Sequence, residues 1–244
     1  MDDYRAETFG ERFADVYDDW FPDADERMIA RLSELARGGT ALELAIGSGR
    51  VALPLRQAGV AMQGIDISPE MVARLRARPG GDSIPVTIGD FADVGVDGEF
   101  PLIFVVFNTI FGLLSQDEQV RCFENVVRRL APGGVFVIEA FVPDVARFTA
   151  RQVVRVVKLE LGAVHLNAGE WDPVRQHITI QHIVLTEAGV RLRPMKLRYA
   201  WPAELDLMAR LAGLRLRERW ADWDRAPFTA DSTKHISLYE RASP

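Results

Sequence analysis

Two carboxylates and the glycine-rich turn between them are the residues of this chain best suited to hold a ligand. Glu43 lies inside an apolar segment, and Asp66 closes the next apolar segment. Gly47-Ser48-Gly49 lacks bulky side chains, so its backbone can approach a bound molecule closely. Because a buried carboxylate is costly unless it is paired, Glu43 predicts a ligand with a cationic group such as an ammonium, held directly or through water.

The same turn fits two kinds of cofactor. Gly47-x-Gly49-x-x-Ala52 matches the dinucleotide fingerprint, and Asp66 follows at about the distance expected of an acid that binds ribose. This match supports NAD as well as S-adenosylmethionine. Glu43 favours S-adenosylmethionine, because its charge would repel a pyrophosphate. Gly89-Asp90-Phe91 adds an acid that can accept the adenine amino group and a ring that can pack on adenine.

Alternating strands and helices must position these residues. Strands are predicted over Thr40 to Ile46, Ala61 to Ile65, Ile84 to Ile88, Phe100 to Phe107, Val135 to Ala140, Leu214 to Trp220 and His235 to Tyr239. Helices are predicted over Arg50 to Ala58, after the N-cap Ser68, over Asp117 to Leu130 and over Pro202 to Ala212. This alternation predicts an α/β fold with a doubly wound, seven-stranded, mostly parallel, Rossmann-like sheet, which binds ligands at the carboxyl ends of its strands.

Two additions to this sheet are predicted. An N-terminal helical lid, residues 1–38, would contain helices over Glu7 to Trp20 and Ala24 to Ala36, broken at Pro22 and Asp23 and ended by Gly38-Gly39. After the fifth strand, a cap of residues 150–200 would form an inserted antiparallel sheet. Its predicted strands are Gln152 to Glu160, Val174 to Thr186 and Val190 to Tyr199, with turns at Asn167-Ala168-Gly169, Trp171-Asp172-Pro173 and Glu187-Ala188-Gly189. Residues 1–244 would form a single domain.

The bulk properties predict a soluble protein of the cytoplasm. Hydrophobic residues make up 48% of the chain, and the formal net charge is -6. Arginines are interleaved with acids and form no basic tract, so nucleic acid is not an expected partner. Cys122, the one cysteine, is predicted to be a small core residue. The N-terminus lacks the apolar region of a signal peptide, and no segment approaches the roughly 20 apolar residues of a membrane span.

The motifs resemble, in order, those of class I S-adenosylmethionine-dependent methyltransferases. These motifs cover roughly residues 40–139, and the C-terminal strands follow. In chain order they are the glycine turn with Glu43, Asp66, Gly89-Asp90 and Pro132-Gly133-Gly134. Ala45 stands where the family usually has glycine. The lid and the cap look like those of small-molecule methyltransferases, including enzymes that methylate the amino group of nucleotide-linked sugars.

The resemblance implies a set of residues that bind S-adenosylmethionine and its product S-adenosylhomocysteine. Glu43, Ala45 and Gly47 would line the methionine part, Asp66 would bind the ribose hydroxyls, Ile67 and Met71 would lie near adenine, and Asp90 and Phe91 would hold its edge. Tyr17, which precedes Asp18, would touch the methionine end, and Gly49 and Phe107 complete the set. Tyr17 and Met71 are also compatible with plain core packing.

The acceptor side is less defined by the sequence. Methyl transfer is an in-line displacement that needs proximity, alignment and exclusion of water, and a hydroxyl acceptor also needs a general base. His182, His177 and Asn108 are weak candidates for catalytic residues, and His165 and Glu139 are further candidate bases. Asn108-Thr109-Ile110-Phe111 lacks the two prolines of methylases that act on nucleic-acid amino groups, so a nucleic-acid base is not the expected acceptor. No metal site is predicted.

The sequence therefore predicts a methyltransferase that acts on oxygen or nitrogen of a small-molecule metabolite and can form a homodimer. Two alternatives remain at this point. One is an NAD-dependent oxidoreductase on the same kind of sheet, which Glu43 and the missing Ser/Tyr/Lys hydride-transfer set disfavour. The other is a non-catalytic S-adenosylmethionine-binding protein.

Overall fold

A computed structural model describes residues 3–21 and 24–242 of the chain. The helices are α1 Thr8–Phe13, α2 Tyr17–Trp20, α3 Glu26–Ala36, α4 Ala52–Gln57, α5 Pro69–Ala77, α6 Gln116–Arg129 and α7 Pro202–Leu211. The main sheet contains β1 Thr40–Leu44, β2 Ala61–Asp66, β3 Val86–Ile88, β4 Phe100–Val105, β5 Leu130–Phe141, β10 Leu214–Trp220 and β11 Lys234–Arg241. A second sheet contains β6 Gln152–Glu160, β7 Ala163–Asp172, β8 His177–Thr186 and β9 Gly189–Arg198.

The main sheet has seven strands in the order β10-β11-β5-β4-β1-β2-β3. β1 pairs in parallel with β2 and β4, and among the described strands of this sheet β11 alone runs opposite to the other six. The predicted doubly wound fold is therefore confirmed. Since β1 lies between β2 and β4, the loops that follow these three strands meet at one edge of the sheet.

Apolar side chains from both faces of the sheet form the core. On one face they pack against α6 and α7, where Cys122 is fully buried as predicted. On the other face they pack against α3, α4 and α5 through Leu32, Leu55 and Leu75. β1 contributes side chains to the core on both faces of the sheet. Leu42 packs on the face covered by α6 and α7, and Ala41 packs on the face covered by α3, α4 and α5. Glu43 is thus anchored in a strand covered on both faces.

Several predicted element ends shift in the structure. Ser68 caps α5 as predicted, with its hydroxyl accepting a hydrogen bond from the Met71 amide. The helix α3 ends at Ala36 as predicted, where Arg37 adopts the left-handed conformation at φ 50°, but it begins at Glu26 and not at Ala24. Pro132-Gly133-Gly134 lies within β5, where the pairing register with β4 shifts, and is not a separate turn before that strand.

The first predicted helix is wrong as a single element. It is divided into α1 and α2 at Ala14, Asp15 and Val16. The division has a tertiary cause: Arg193 of β9 donates from Nε to the Arg12 carbonyl oxygen at 3.1 Å and from a terminal nitrogen to Asp15 at 3.0 Å. The predicted break at Pro22 and Asp23 lies outside the described residues.

The predicted antiparallel sheet is confirmed, but it has four strands in the order β6-β7-β8-β9. Asn167-Ala168-Gly169 is not a turn as predicted, because it lies inside β7 and pairs with β6 on one side and β8 on the other. Residues with high turn propensity remain extended here because both neighbouring strands hydrogen-bond to them. Among the described residues, no helix is long and apolar enough to span a membrane.

Candidate active site

The ends of β1 and β4 and the lid helix α2 surround a cavity of about 290 Å³, a volume that includes its open mouth. Tyr17, Glu43, Ala45, Arg50 and Phe107 are among the residues that line it. Four of these five residues belong to the predicted cofactor-binding set. The structure thus brings the N-terminal lid and the first strand of the sheet to one crevice.

Glu43 is the electrostatic centre of this crevice. Its side chain is buried, with 4% of the residue exposed, and Oε2 makes no hydrogen bond to any described residue. Burial raises the pKa of this carboxyl group well above its usual value, and the nearby Arg50 opposes that rise only in part. A buried carboxylate with a free oxygen is suited to a cationic ligand group, which would restore its ordinary ionisation.

The loop after β1 has the backbone conformation that a closely bound ligand requires. Ala45, Gly47 and Gly49 all have positive φ, at 56°, 58° and 80°. Ala45 therefore follows the backbone path for which the family usually has glycine, at the cost of some local strain. A Cβ atom on Gly47 would lie 3.2 Å from Cε of Met71, so this loop packs tightly on the buried Met71.

Asp66 fixes this loop to the end of β2. Its Oδ2 accepts a hydrogen bond from the Gly47 amide at 2.7 Å, and its Oδ1 accepts one from the Ser68 amide at 2.8 Å. Burial raises the pKa of Asp66, and these amide contacts moderate the rise. Each carboxylate oxygen keeps a second lone pair that can accept from a ribose hydroxyl. The ribose role of Asp66 stays a prediction.

The predicted adenine side follows β2 and β3. Ile67 is half-buried, and Phe91 is partly buried against the core next to α6. Asp90 accepts a hydrogen bond from the Ala92 amide at 2.8 Å, and its other oxygen lies 3.7 Å from the Arg121 guanidinium. Asp90 thus has a fixed orientation at the end of β3, and its adenine contact remains a prediction.

The lid contacts the residues of the crevice at several points. Ser48 of the glycine turn donates a hydrogen bond to Asp18 at 2.6 Å. The Tyr17 ring is half-buried in the cavity, and burial raises the pKa of its hydroxyl. Phe21 packs edge-on against Phe107 with centroids 4.8 Å apart, and the Arg50 guanidinium lies 4.5 Å from the centroid of the Phe107 ring. These contacts close one wall of the cavity.

The opposite side of the lid packs on the antiparallel sheet. The His182 ring of β8 lies 5.5 Å from the Phe13 ring and 5.8 Å from the Trp20 ring. Burial lowers the pKa of His182, and the charges of Arg155 and Arg193 lower it further, so the imidazole is neutral at pH 7. His182 is thus an aromatic contact between sheet and lid, and its catalytic role stays untested.

The other candidate bases have structural partners. His177 contacts the Leu114 carbonyl oxygen through Nε2 at 2.8 Å, and His165 contacts Glu160 at 3.1 Å. Asn108 has φ 65°, and its side-chain oxygen accepts from the Phe141 amide at 2.7 Å, so it caps the turn after β4. None of these contacts directs a base into the cavity.

Glu139 has three donors around its buried carboxylate. Oε1 accepts from Nε1 of Trp223 and from Nζ of Lys234, each at 3.1 Å, and Oε2 accepts from the Phe107 amide at 3.2 Å. Phe107 has a strained φ of 59°. Glu139 therefore holds the Phe107 backbone in place at the edge of the cavity, a role better suited to positioning than to proton transfer.

These residues fit the cofactor that the sequence motifs imply. The crevice combines a buried carboxylate with one oxygen that receives no hydrogen bond from residues 3–21 and 24–242, a glycine-lined backbone cradle and a second carboxylate one strand away. An amino-acid ammonium matches the first of these groups, and a ribose diol matches the third. A pyrophosphate would place negative charge near Glu43.

Comparison with known proteins decides the family. Residues 41–134 match the model of a methyltransferase domain. The structure of the CcbJ methyltransferase from Streptomyces caelestis superposes with a TM-score of 0.91 and is 41% identical, covering 98% of this chain and 100% of that one. The chain belongs to the S-adenosylmethionine-dependent methyltransferases. An NAD-dependent oxidoreductase is thereby excluded.

Two further relatives of this chain are also named as methyltransferases. The cypemycin N-terminal methyltransferase of a Streptomyces species is 28% identical over 207 residues, 84% of each chain. A dTDP-4-amino-2,3,4,6-tetradeoxy-D-glucose N,N-dimethyltransferase from Saccharopolyspora spinosa is 30% identical over 135 residues, which covers 52% of this chain and 53% of that one.

Arg50 and Phe21 of this methyltransferase both contact Phe107 but were not among the site residues predicted from sequence. Arg50 directly follows the glycine turn, and that position was a signal that could have identified it. Phe21 carried no comparable signal, because its contact depends on how the lid folds back over the sheet. The same holds for Trp223 and Lys234, which approach Glu139 from the C-terminal part of the chain.

Gly10 provides a test of the lid. A Cβ atom there would lie 2.4 Å from Oγ of Ser68, so Gly10→Ala should force α1 away from the start of α5. Overpacking of this kind costs about 1–3 kcal/mol, and we expect S-adenosylhomocysteine to bind about tenfold more weakly. Calorimetry and hydrogen exchange of residues 8–20 would measure both effects. Gly95→Ala is the matched control, since a Cβ there meets nothing within 4 Å, and equal behaviour of the two variants would contradict the docking.

Proposed function

We propose that this methyltransferase transfers the methyl group of S-adenosylmethionine to the amino nitrogen of a small-molecule metabolite. The observation that carries the proposal is the buried Glu43 carboxylate, whose Oε2 has no hydrogen bond among the described residues. It faces the same cavity as Tyr17 and Arg50. An amino acid that carries both an ammonium and a carboxylate complements this pair of charges.

The proposed cofactor contacts follow the loops after the strands. Glu43 binds the ammonium, directly or through water, while Arg50 lies on the side suited to the carboxylate. Ala45, Gly47 and Gly49 form the cradle, Asp66 binds the ribose hydroxyls, and Tyr17 and Phe107 close the methionine end. Ile67, Met71, Asp90 and Phe91 surround adenine. The tight packing of Met71 below the Gly47 loop and the fixed orientation of Asp90 support this arrangement.

The cofactor supplies a methyl group on a positively charged sulfur, which is a good leaving group. The chain supplies position and exclusion of water. The lid contributes Tyr17 on the crevice side and Trp20 on the side of the antiparallel sheet, so α2 separates the cavity from that sheet. Glu139 holds the Phe107 backbone through its amide at 3.2 Å, which fixes the wall next to the reacting groups.

A nitrogen acceptor agrees better with this site than an oxygen acceptor. An amine attacks through its own lone pair, whereas a hydroxyl needs a base to remove its proton. Among the described residues, the candidate bases Glu139, His165 and His177 are engaged with other groups. The name of one relative, an N,N-dimethyltransferase, also refers to nitrogen methylation, which supports the same choice.

We further propose that residues 1–244 form one domain, in which residues 1–38 act as a lid and residues 150–200 as a cap over the acceptor. The chain would act in the cytoplasm as a homodimer and would not bind nucleic acid. The net charge of -6 and the absence of the two prolines after Asn108 support the last point.

Two measurements test the proposal: ligand binding by calorimetry and then turnover with candidate acceptors. S-adenosylmethionine and S-adenosylhomocysteine should each bind at one site per chain, and NAD should not bind. Mass spectrometry should then show a gain of one methyl group on members of an amine panel, while matched analogues with a hydroxyl in place of the amine stay unmodified. Methylation of the hydroxyl series alone would overturn the choice of nitrogen.

A further inference from the structure

Four polar side chains meet where the antiparallel sheet joins the rest of the fold. Arg198 ends β9, Gln176 lies in the turn before β8, and the other two members are Gln119 of α6 and Glu204 of α7. Arg198 and Gln119 are buried, with 5% and 0% of each residue exposed. These four residues are called the polar cluster below.

The guanidinium of Arg198 connects the other three members of the polar cluster. One terminal nitrogen donates to Oε1 of Gln119 at 2.5 Å. The other donates to Oε1 of Gln176 at 3.1 Å and to Oε1 of Glu204 at 2.7 Å. Burial would raise the pKa of Glu204, but hydrogen bonds, led by the one from Arg198, lower it below its usual value, so the two side chains form an ion pair. The planar fork of an arginine suits three such contacts, whereas a lysine donates from a single nitrogen.

Gln119 extends the polar cluster to the wall of the cavity. Its Nε2 donates to the carbonyl oxygen of Arg198, a residue of the cap, at 2.9 Å. The same nitrogen donates to the Leu113 carbonyl oxygen at 3.2 Å and to that of Ile110 at 3.4 Å. The last two oxygens lie in the turn after β4, which begins at Thr109, and Thr109 lines the cavity. Gln119 therefore bonds to the cap and to the cavity wall at once.

We propose that Arg198 is a positioning residue for methyl transfer, which through Gln119 fixes the cavity wall at Thr109 relative to the cap. The inference rests on the proposed function, in which the acceptor lies beneath the cap. In-line transfer needs the acceptor nitrogen aligned with the methyl group, and a displacement of about 1 Å can lower a rate about 100-fold. A wall and a cap that moved independently would lose this alignment.

Stability alone does not account for a buried pair of charges at this place. An apolar pair of similar volume is often as stable as a buried ion pair, or more stable, because the charges lose their hydration. An apolar pair lacks direction, whereas each hydrogen bond of the polar cluster orients one group of the turn or of the cap. His177 of β8 adds a second connection to the same segment, since its Nε2 contacts the Leu114 carbonyl oxygen at 2.8 Å.

The double variant Arg198→Met and Glu204→Met tests the proposal, because it removes both charges together. Circular dichroism should show a folded protein. With the amine that the unmodified chain methylates fastest, kcat should fall at least about tenfold, while the calorimetric affinity for S-adenosylhomocysteine stays within about threefold. Arg198→Lys keeps the charge opposite Glu204 but loses the fork, so its kcat should lie between those of the unmodified chain and the double variant.

Arg219→Met with Asp206→Leu is the matched control. This second ion pair also involves α7, with a terminal nitrogen of Arg219 2.6 Å from Asp206, but Arg219 joins that helix to β10 and β11 through Ser237 and Tyr239. The control should keep the kcat of the unmodified chain. An unchanged kcat after loss of the Arg198–Glu204 pair, or an equal loss in the control, would overturn the positioning role.

Hydrogen exchange separates this inference from the proposed function. Within the turn after β4, the Phe111 amide donates to the Asn108 carbonyl oxygen at 2.9 Å. It should exchange faster in the Arg198 and Glu204 double variant than in the control, and equal exchange would show that Arg198 does not hold the wall. Absence of methyl transfer by the unmodified chain to every amine of the panel would instead overturn the proposed function.

Discussion

Glu43→Gln should weaken binding of S-adenosylmethionine by about 10–100-fold, the range expected when a hydrogen bond to a charged group is lost. The substitution keeps the size of the side chain and removes its charge. It should not destabilise the ligand-free protein, because a buried carboxylate that has an oxygen without a partner already costs free energy. Calorimetry would give the affinity, and chemical denaturation the free energy of unfolding.

The pH dependence of stability offers a second readout of the same residue. The folded-state pKa of Glu43 is raised above that of the unfolded chain, so the folded protein retains this proton to higher pH. Stability is therefore lost as pH rises from the ordinary glutamate pKa through the raised one. The difference in unfolding free energy between Glu43→Gln and the unmodified chain should grow in favour of the variant over that interval. Equal cofactor affinity in the two proteins would contradict the role of Glu43.

Asp66→Ala should lower both cofactor affinity and stability. Asp66 accepts hydrogen bonds from the Gly47 and Ser68 amides, and an alanine leaves both donors without these bonds. Each unsatisfied buried donor costs about 1–3 kcal/mol, so for two donors we expect a loss of about 2–6 kcal/mol in the free energy of unfolding. Loss of the ribose contact should weaken S-adenosylhomocysteine binding by at least about tenfold.

Asp66→Asn is the matched control for that substitution. Its one carbonyl oxygen can replace only one of the two acceptors, so its stability should lie between those of the alanine variant and the unmodified chain. Glu43→Gln and Asp66→Ala should therefore differ in their effect on stability. Both should lose cofactor affinity, but only Asp66→Ala should lower the free energy of unfolding. Unchanged affinity in Asp66→Ala would remove Asp66 from the ribose site.

The sequence predicted the sheet and most of the crevice because both depend on local pattern and on one rule of topology. Buried parallel strands appear as apolar runs, so Glu43 was visible as an exception within such a run. The loops after adjacent parallel strands meet at one edge, so the order of the strands alone predicts that Gly47 and Asp66 lie close together, as they do.

Features set by distant contacts could not be predicted in this way. The apolar spacing continues through Ala14 and Val16. The helix nevertheless ends there, because Arg193, far along the chain, donates hydrogen bonds to the Arg12 carbonyl oxygen and to Asp15. Gly169 is a residue type typical of turns, yet it lies in β7 where neighbouring strands pack closely on it. The engagement of Glu139 by Trp223 likewise depends on the folded C-terminal segment.

A crystal structure with S-adenosylhomocysteine would show whether Glu43 and Asp66 bind this ligand. We expect its ammonium to lie within hydrogen-bonding distance of Glu43, directly or through one water, while Asp66 contacts the ribose hydroxyls. Density for the ligand outside this crevice, or a ligand whose ammonium points away from Glu43, would rule out these roles.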